Sequence, residues 1–83
     1  MGKPLTAAFV ASVKRPGRYR DGRNLFLEVT AGGHKGWLFR YERAGRGRWM
    51  SLGPARVVTL AEARDNAHQA QRELHQGIDP LDK

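Results

Sequence analysis

The sequence predicts an α+β domain: a three-stranded antiparallel sheet, with a short amino-terminal edge strand and a short amino-terminal helix, packed against one carboxy-terminal helix. Three patterns predict it. Residues 25–30, 37–42 and 48–52 alternate apolar and polar side chains with period two. Glycine-rich breaks separate these runs, and a capped segment over 59–76 carries apolar residues at helical spacing. With 83 residues, the chain has room for one core and no second lobe.

The first element is a short helix over 5–13. Thr6 is its N-cap, Leu5 precedes the cap and Val10 takes the fourth helical position, which is the spacing of a hydrophobic staple. Phe9, Val10 and Val13 are expected to face the body of the domain, and Pro16-Gly17 ends the segment. This stretch, preceded by Lys3, faintly imitates a secretory signal. It is short, is interrupted by Thr6 and Ser12, and runs into Lys14-Arg15 without a convincing cleavage site.

The sheet is expected over 18–53. Arg18 to Gly22 reads as the edge strand and its turn. In the next strand Leu25, Leu27 and Val29 share one face, and Phe26, Glu28 and Thr30 share the other. A hairpin loop, Gly32-Gly33-His34-Lys35-Gly36, leads to a strand with Trp37, Phe39 and Tyr41 on the core face and Leu38, Arg40 and Glu42 on its reverse. Ala44-Gly45-Arg46-Gly47 turns the chain, and the last strand offers Met50 and Leu52 to the core and Trp49 and Ser51 to the open side. An antiparallel meander of this kind can leave one face in solvent.

Thr59-Leu60-Ala61-Glu62 is a capping box, followed by the stripe Leu60, Ala63, Ala67, Ala70 and Leu74 over a helix spanning 59–76. The alanines allow this helix to lie close to the aromatic face. Gly77 suits the left-handed position after the last turn, Ile78 can pack back on it, and Asp79-Pro80 prevents continuation. Residues 77–83 read as the start of an interdomain linker.

The charge is uneven. Fifteen Lys and Arg stand against eight Asp and Glu, for a net charge of +7, and residues 1–58 alone carry +9 while 59–83 carry −2. Eleven of the fifteen cations are Arg, whose planar fork suits phosphate oxygens and guanine edges. A solvated basic surface is the plain alternative, but a basic sheet-plus-helix module points to nucleic acid.

Other chemistries find little support. There is no Cys, which removes disulfides and thiolate metal sites and is compatible with a reducing cytoplasm. His68 and His75 are seven residues apart on one helix and His34 lies in a loop, so no metal is expected. No nucleophile-base arrangement stands out, and Gly32-Gly33-x-x-Gly36 lacks the helix that a phosphate loop requires. No apolar run approaches the roughly 20 residues that span a bilayer.

An ordered set of motifs then resembles a known family. Leu5-Thr6, Tyr19-Arg20-Asp21-Gly22, Leu25-x-Leu27-x-Val29, Trp37-x-Phe39-Arg40-Tyr41, Leu52-Gly53 and the helix Thr59-Leu60-Ala61-Glu62-Ala63-Arg64, ending in Gly77-Ile78-Asp79-Pro80, cover essentially the whole chain. Together they resemble the amino-terminal arm-type DNA-binding domain of prophage and genomic-island integrases, which are tyrosine recombinases. One departure is Pro54-Ala55-Arg56, where the family usually has a Tyr or similar residue before a short Pro-containing link.

The resemblance implies a module, over 1–83, that binds double-stranded DNA at arm sites away from the point of strand exchange. The catalytic tyrosine and its Arg and His partners would belong to a separate carboxy-terminal domain. This fragment is therefore expected to bind rather than catalyse, without a cofactor, in the cytoplasm of a bacterial or phage-infected cell. Other integrase subunits or accessory DNA-bending proteins would be reached through the full-length protein.

A strand pair fits a major groove, so the open face is the expected contact surface. Arg40 is expected to read guanine or phosphate, with a cross-strand ion pair to Glu28 as its plain alternative role. Thr30 and Ser51 offer hydroxyls, and Trp49 offers either a contact or edge cover. Lys35, Arg43, Arg46 and Arg48, at or beside hairpin ends, are expected to clamp phosphates, as are Arg20 and Arg23 with Arg18 near the sheet edge. Two rivals use the same face. One is a protein-interaction module built on Phe26, Leu38 and Trp49, and the other is an RNA-binding domain.

Overall fold

The computed structural model of the protein describes residues 4–81; Lys3 and the expected linker residues Asp82 and Lys83 lie outside the described residues. Helix α1 (Ala7–Ser12) is followed by strands β1 (Gly17–Gly22), β2 (Leu25–Val29), β3 (Lys35–Arg43) and β4 (Arg46–Pro54), and by helix α2 (Leu60–His75). The strands form one antiparallel meander in the order β1-β2-β3-β4. The expected edge strand is thus a full member of a four-stranded sheet.

Both helices start where their caps dictate. The Thr6 hydroxyl accepts from the Phe9 amide, and the Thr59 hydroxyl accepts from the Glu62 amide while the Glu62 carboxylate accepts from the Thr59 amide. At the far end of α2, the Ile78 amide donates to the Glu73 carbonyl and the Gly77 amide to the Leu74 carbonyl. These two bonds form a Schellman cap.

Period two decides the core. Leu25, Leu27, Val29, Trp37, Phe39 and Tyr41 are buried on one face, where Ala63 and Ala70 of α2 press against them. Ala63 is fully buried, so the small side chain is what lets the helix backbone approach the sheet. Val10 and Val13 close one end of this core, and Met50 and Leu52 support it from β4. The buried Trp37 indole donates to the Val58 carbonyl at 2.7 Å, leaving no polar atom stranded.

Two local features differ from the sequence reading. The β3–β4 turn is only Ala44-Gly45, both at positive φ (53° and 77°), as a two-residue hairpin requires; Arg46 and Gly47 are already paired with Arg43 and Glu42. The register shifts between Trp37 and Leu38, with Gly53 opposite Trp37 at φ +108°. A Cβ at Gly53 would lie 2.8 Å from Val58 Cγ2, so the Leu52-Gly53 motif marks a bulge that only glycine fits. Beyond it, the Ala55 amide donates to the Lys35 carbonyl, which sets the path through Pro54-Ala55-Arg56.

Candidate nucleic-acid interface

The face of the sheet opposite α2 is uncovered. Cross-strand pairing brings Arg20, Phe26, Leu38 and Ser51 into one row, with Arg18 and Glu28 to one side and Arg40 and Trp49 to the other. Trp49 leans across the face until its ring meets Phe26 edge-on at 5.1 Å. Arg18 lies over the same indole, 4.2 Å from its centroid, and Arg40 stands 5.7 Å away. The result is an apolar ridge fenced by guanidinium groups.

Glu28 holds Arg18, at 3.1 Å from its Nε. The ion pair with Glu28 that was the plain alternative role for Arg40 is therefore replaced by one across the β1–β2 pair. Arg40 instead lies over Gly47, where a Cβ would stand 2.9 Å from one of its terminal nitrogens. Sequence reading missed both Glu28 as the anchor of Arg18 and Gly47 as the floor beneath Arg40. A glycine inside a strand was the available signal, since it often marks a close approach.

The remaining expected contacts divide by face. Ser51 is exposed on the open side, although its hydroxyl accepts from the Gly53 amide at 3.3 Å. Arg20 is also on that side and donates to the Arg23 carbonyl, closing the β1–β2 turn, where Arg23 itself is exposed. Thr30 lies just past β2 rather than on its face, and its hydroxyl accepts from the His34 amide within the loop.

Lys35 belongs to β3, not to the loop, and turns to the helix side. Its Nζ donates to the Val10 and Ala11 carbonyls (2.7 and 3.2 Å), fastening α1 to the sheet. Arg48 stands opposite Tyr41 on that same side and donates to Asp79 at 3.2 Å. Arg43 reaches the same Asp79 oxygen at 3.6 Å, and Arg46 pairs with Arg43 at the hairpin tip.

Two buried or half-buried aspartates organise these cations. Asp79 also accepts from the Tyr41 hydroxyl and, at 3.0 Å, from the Leu81 amide. The hydrogen bond from Tyr41 leads the causes that hold the Asp79 carboxyl below the usual range, with Arg48 and Arg43 adding to it. Burial, then that same hydrogen bond, pushes the Tyr41 hydroxyl up. Asp79 and Pro80 are buried, so the segment read as the start of a linker is pinned to the hairpin. At the other end, Arg64 of α2 grips Asp21 through both carboxylate oxygens and holds its pKa down.

Among the described residues no cluster of three or more His, Asp or Glu side chains is placed to hold a metal, and no helix is long and apolar enough to cross a membrane.

A four-stranded meander backed by one capped helix, with an arginine-fenced open face, defines a small sheet-face binding module. The arm DNA-binding domain family profile matches residues 5–83, and the chain belongs to that family, the amino-terminal DNA-binding module of phage and prophage integrases. It is 38% identical over 68 residues to the integrase of Shigella phage Sf6 and, to the same extent, to the prophage integrase IntS of Escherichia coli. It is 42% identical over 62 residues to the integrase of Enterobacteria phage P4. These matches cover 82% and 72% of this chain but only 18% and 14% of the relatives, so the chain spans less than a fifth of their length.

Proposed function

We propose that this domain binds arm-type sites in double-stranded DNA by laying its open sheet face in the major groove, as part of a longer integrase that inserts and excises mobile DNA. The observation that carries the reading is the uncovered face itself, where Arg18, Arg20 and Arg40 surround the Phe26–Leu38–Trp49 ridge. A groove about 12 Å wide admits a strand pair. Strand exchange, and contacts with other integrase subunits or accessory DNA-bending proteins, would belong to the rest of that protein.

In this reading Arg40 meets a base edge, Trp49 and Ser51 lie beside it, and Arg20, Arg23, Arg43 and Arg46 reach flanking phosphates. Lys35, Arg48 and Thr30 chiefly hold the scaffold through partners inside the domain; Arg20 and Arg43 have partners too but stand exposed at the sheet edge and the hairpin tip. Duplex is favoured over single-stranded RNA because the indole surface that a stacked base would need is occupied by Arg18.

The test is a titration of the chain with duplex DNA, single-stranded DNA and RNA, following the fluorescence of Trp49 against a Trp49→Phe control. Tight binding to duplex alone, with a change that Trp49→Phe abolishes, is expected. Preference for RNA, or duplex binding that leaves Trp49 unperturbed, rejects the open face as the DNA surface.

A further inference from the structure

We infer that Gly47 is a positioning residue for Arg40, and that the pair fixes the site's preference for the major-groove edge of guanine; the inference rests on the open face being the DNA surface. Gly47, opposite Glu42, is two pairs along from the Arg40–Trp49 pair and so faces the same side. A Cβ there would stand 2.9 Å from one Arg40 terminal nitrogen and 3.5 Å from Cζ, so the guanidinium lies on bare backbone. The Trp49 ring borders it at 5.7 Å, and Trp49 is itself fixed by Phe26 and Arg18.

No carboxylate or carbonyl among the described residues takes a hydrogen bond from the Arg40 guanidinium, which leaves its donors available. That contrasts with Arg18, Arg20, Arg43, Arg48 and Arg64, each of which has an acceptor. A guanine presents N7 and O6 as neighbouring acceptors, and a planar fork reads them only when its plane is held. Gly47 supplies the floor that holds it. The backbone there does not need glycine: Gly47 is absent from the positive-φ residues, and a strand generally tolerates Ala better. Since the atom that a Cβ would strike is the far end of a flexible side chain, Gly47→Ala would move the guanidinium and spare the fold.

The experiment uses the 83-residue chain and a duplex that it selects from a randomised pool, compared with the same duplex carrying 7-deazaguanine, which lacks N7 but pairs normally. The unaltered domain is expected to lose about tenfold in affinity on the deaza duplex. Gly47→Ala should melt no lower than the unaltered domain, bind unrelated duplex equally well, and no longer distinguish the two probes. In an Arg40→Ala background, Gly47→Ala should add nothing, as it must if it acts only through Arg40. Full discrimination by Gly47→Ala overturns the inference, as does indifference of the unaltered domain to 7-deazaguanine. If Arg40→Ala loses discrimination while Gly47→Ala keeps it, only this inference falls. If duplex binding survives with neither variant altering it, the open-face reading falls as well.

Discussion

Arg64 of α2 and Asp21 of β1 form a two-point ion pair, with Nε 2.9 Å from one carboxylate oxygen and a terminal nitrogen 2.8 Å from the other. Leu5 completes the knot: its amide donates to Asp21, and its carbonyl accepts from Arg64. Three of the separate motifs that mark the family therefore meet at one point. The pair joins the segment before α1, the edge strand and the long helix.

Arg64→Ala should lower stability by on the order of 1–2 kcal/mol, at the modest end for a charged hydrogen-bond pair because the arginine is half exposed. In a domain of this size that corresponds to a melting point lower by roughly 4–15 °C. Arg64→Lys should recover little, since an ammonium cannot span both oxygens. A thermal melt of Arg64→Lys indistinguishable from that of the unaltered domain would show that charge alone suffices.

The two aspartates set an acid limit to stability. The folded pKa of each lies below its unfolded value, for Asp21 chiefly through Arg64 and for Asp79 chiefly through Tyr41. Their contribution is complete above the unfolded carboxylate value of about 3.9 and is lost as pH falls through the folded values. Tyr41 acts at the other end. Its pKa is raised by burial, so its contribution is present below the unfolded value of about 10 and is lost as pH climbs past it. Urea midpoints measured across pH should fall at both ends. Asp21→Asn should flatten the acid limb, and Tyr41→Phe the alkaline one; limbs that keep their slopes in these variants would reassign the linkage.

The sheet and the long helix were legible because periodicity reports local burial. The alternation through Leu25, Leu27 and Val29 and through Trp37, Phe39 and Tyr41 places all six correctly, and the Thr59–Glu62 box marks the start of α2. What spacing cannot report is a partner far along the chain, and Tyr41 and Asp79 are 38 residues apart, Asp21 and Arg64 43. The face of Lys35, Arg43 and Arg48 was readable, because they share the parity of Trp37, Tyr41 and Met50. Grouping them by nearness to hairpin ends obscured it. The ion pair of Glu28 depended on the register of β1, which alternation within a single strand leaves open.

The hairpin tip carries a correctable strain. Ala44 sits at φ +53° at the first position of a two-residue turn, a conformation that costs an L-residue about 1 kcal/mol. Asn tolerates that region and, followed by Gly45, makes the favoured dipeptide for this turn. Ala44→Asn should raise the melting point by a few degrees, on the order of 0.5–1 kcal/mol, without altering DNA affinity. A lower melting point would mean that the turn is not of this type in solution.

Salt dependence distinguishes the arginines of the tip. Each phosphate neutralised contributes about −0.9 to the slope of log affinity against log salt, so four to six contacts predict a slope of roughly −4 to −5. Arg46 has no ion pair among the described residues, whereas Arg43 and Arg48 both lean on Asp79. A phosphate recruiting either of those must compete with a carboxylate already in place, while one recruiting Arg46 need not. Arg46→Ala should therefore weaken binding to every duplex alike and bring the slope closer to zero by about one unit, and Arg43→Ala should change it less. Arg40→Ala, by contrast, should reduce discrimination between sites more than the slope. A flat salt profile would reject phosphate clamping outright, and equal slope changes for Arg43→Ala and Arg46→Ala would show that Asp79 releases its arginines when DNA arrives.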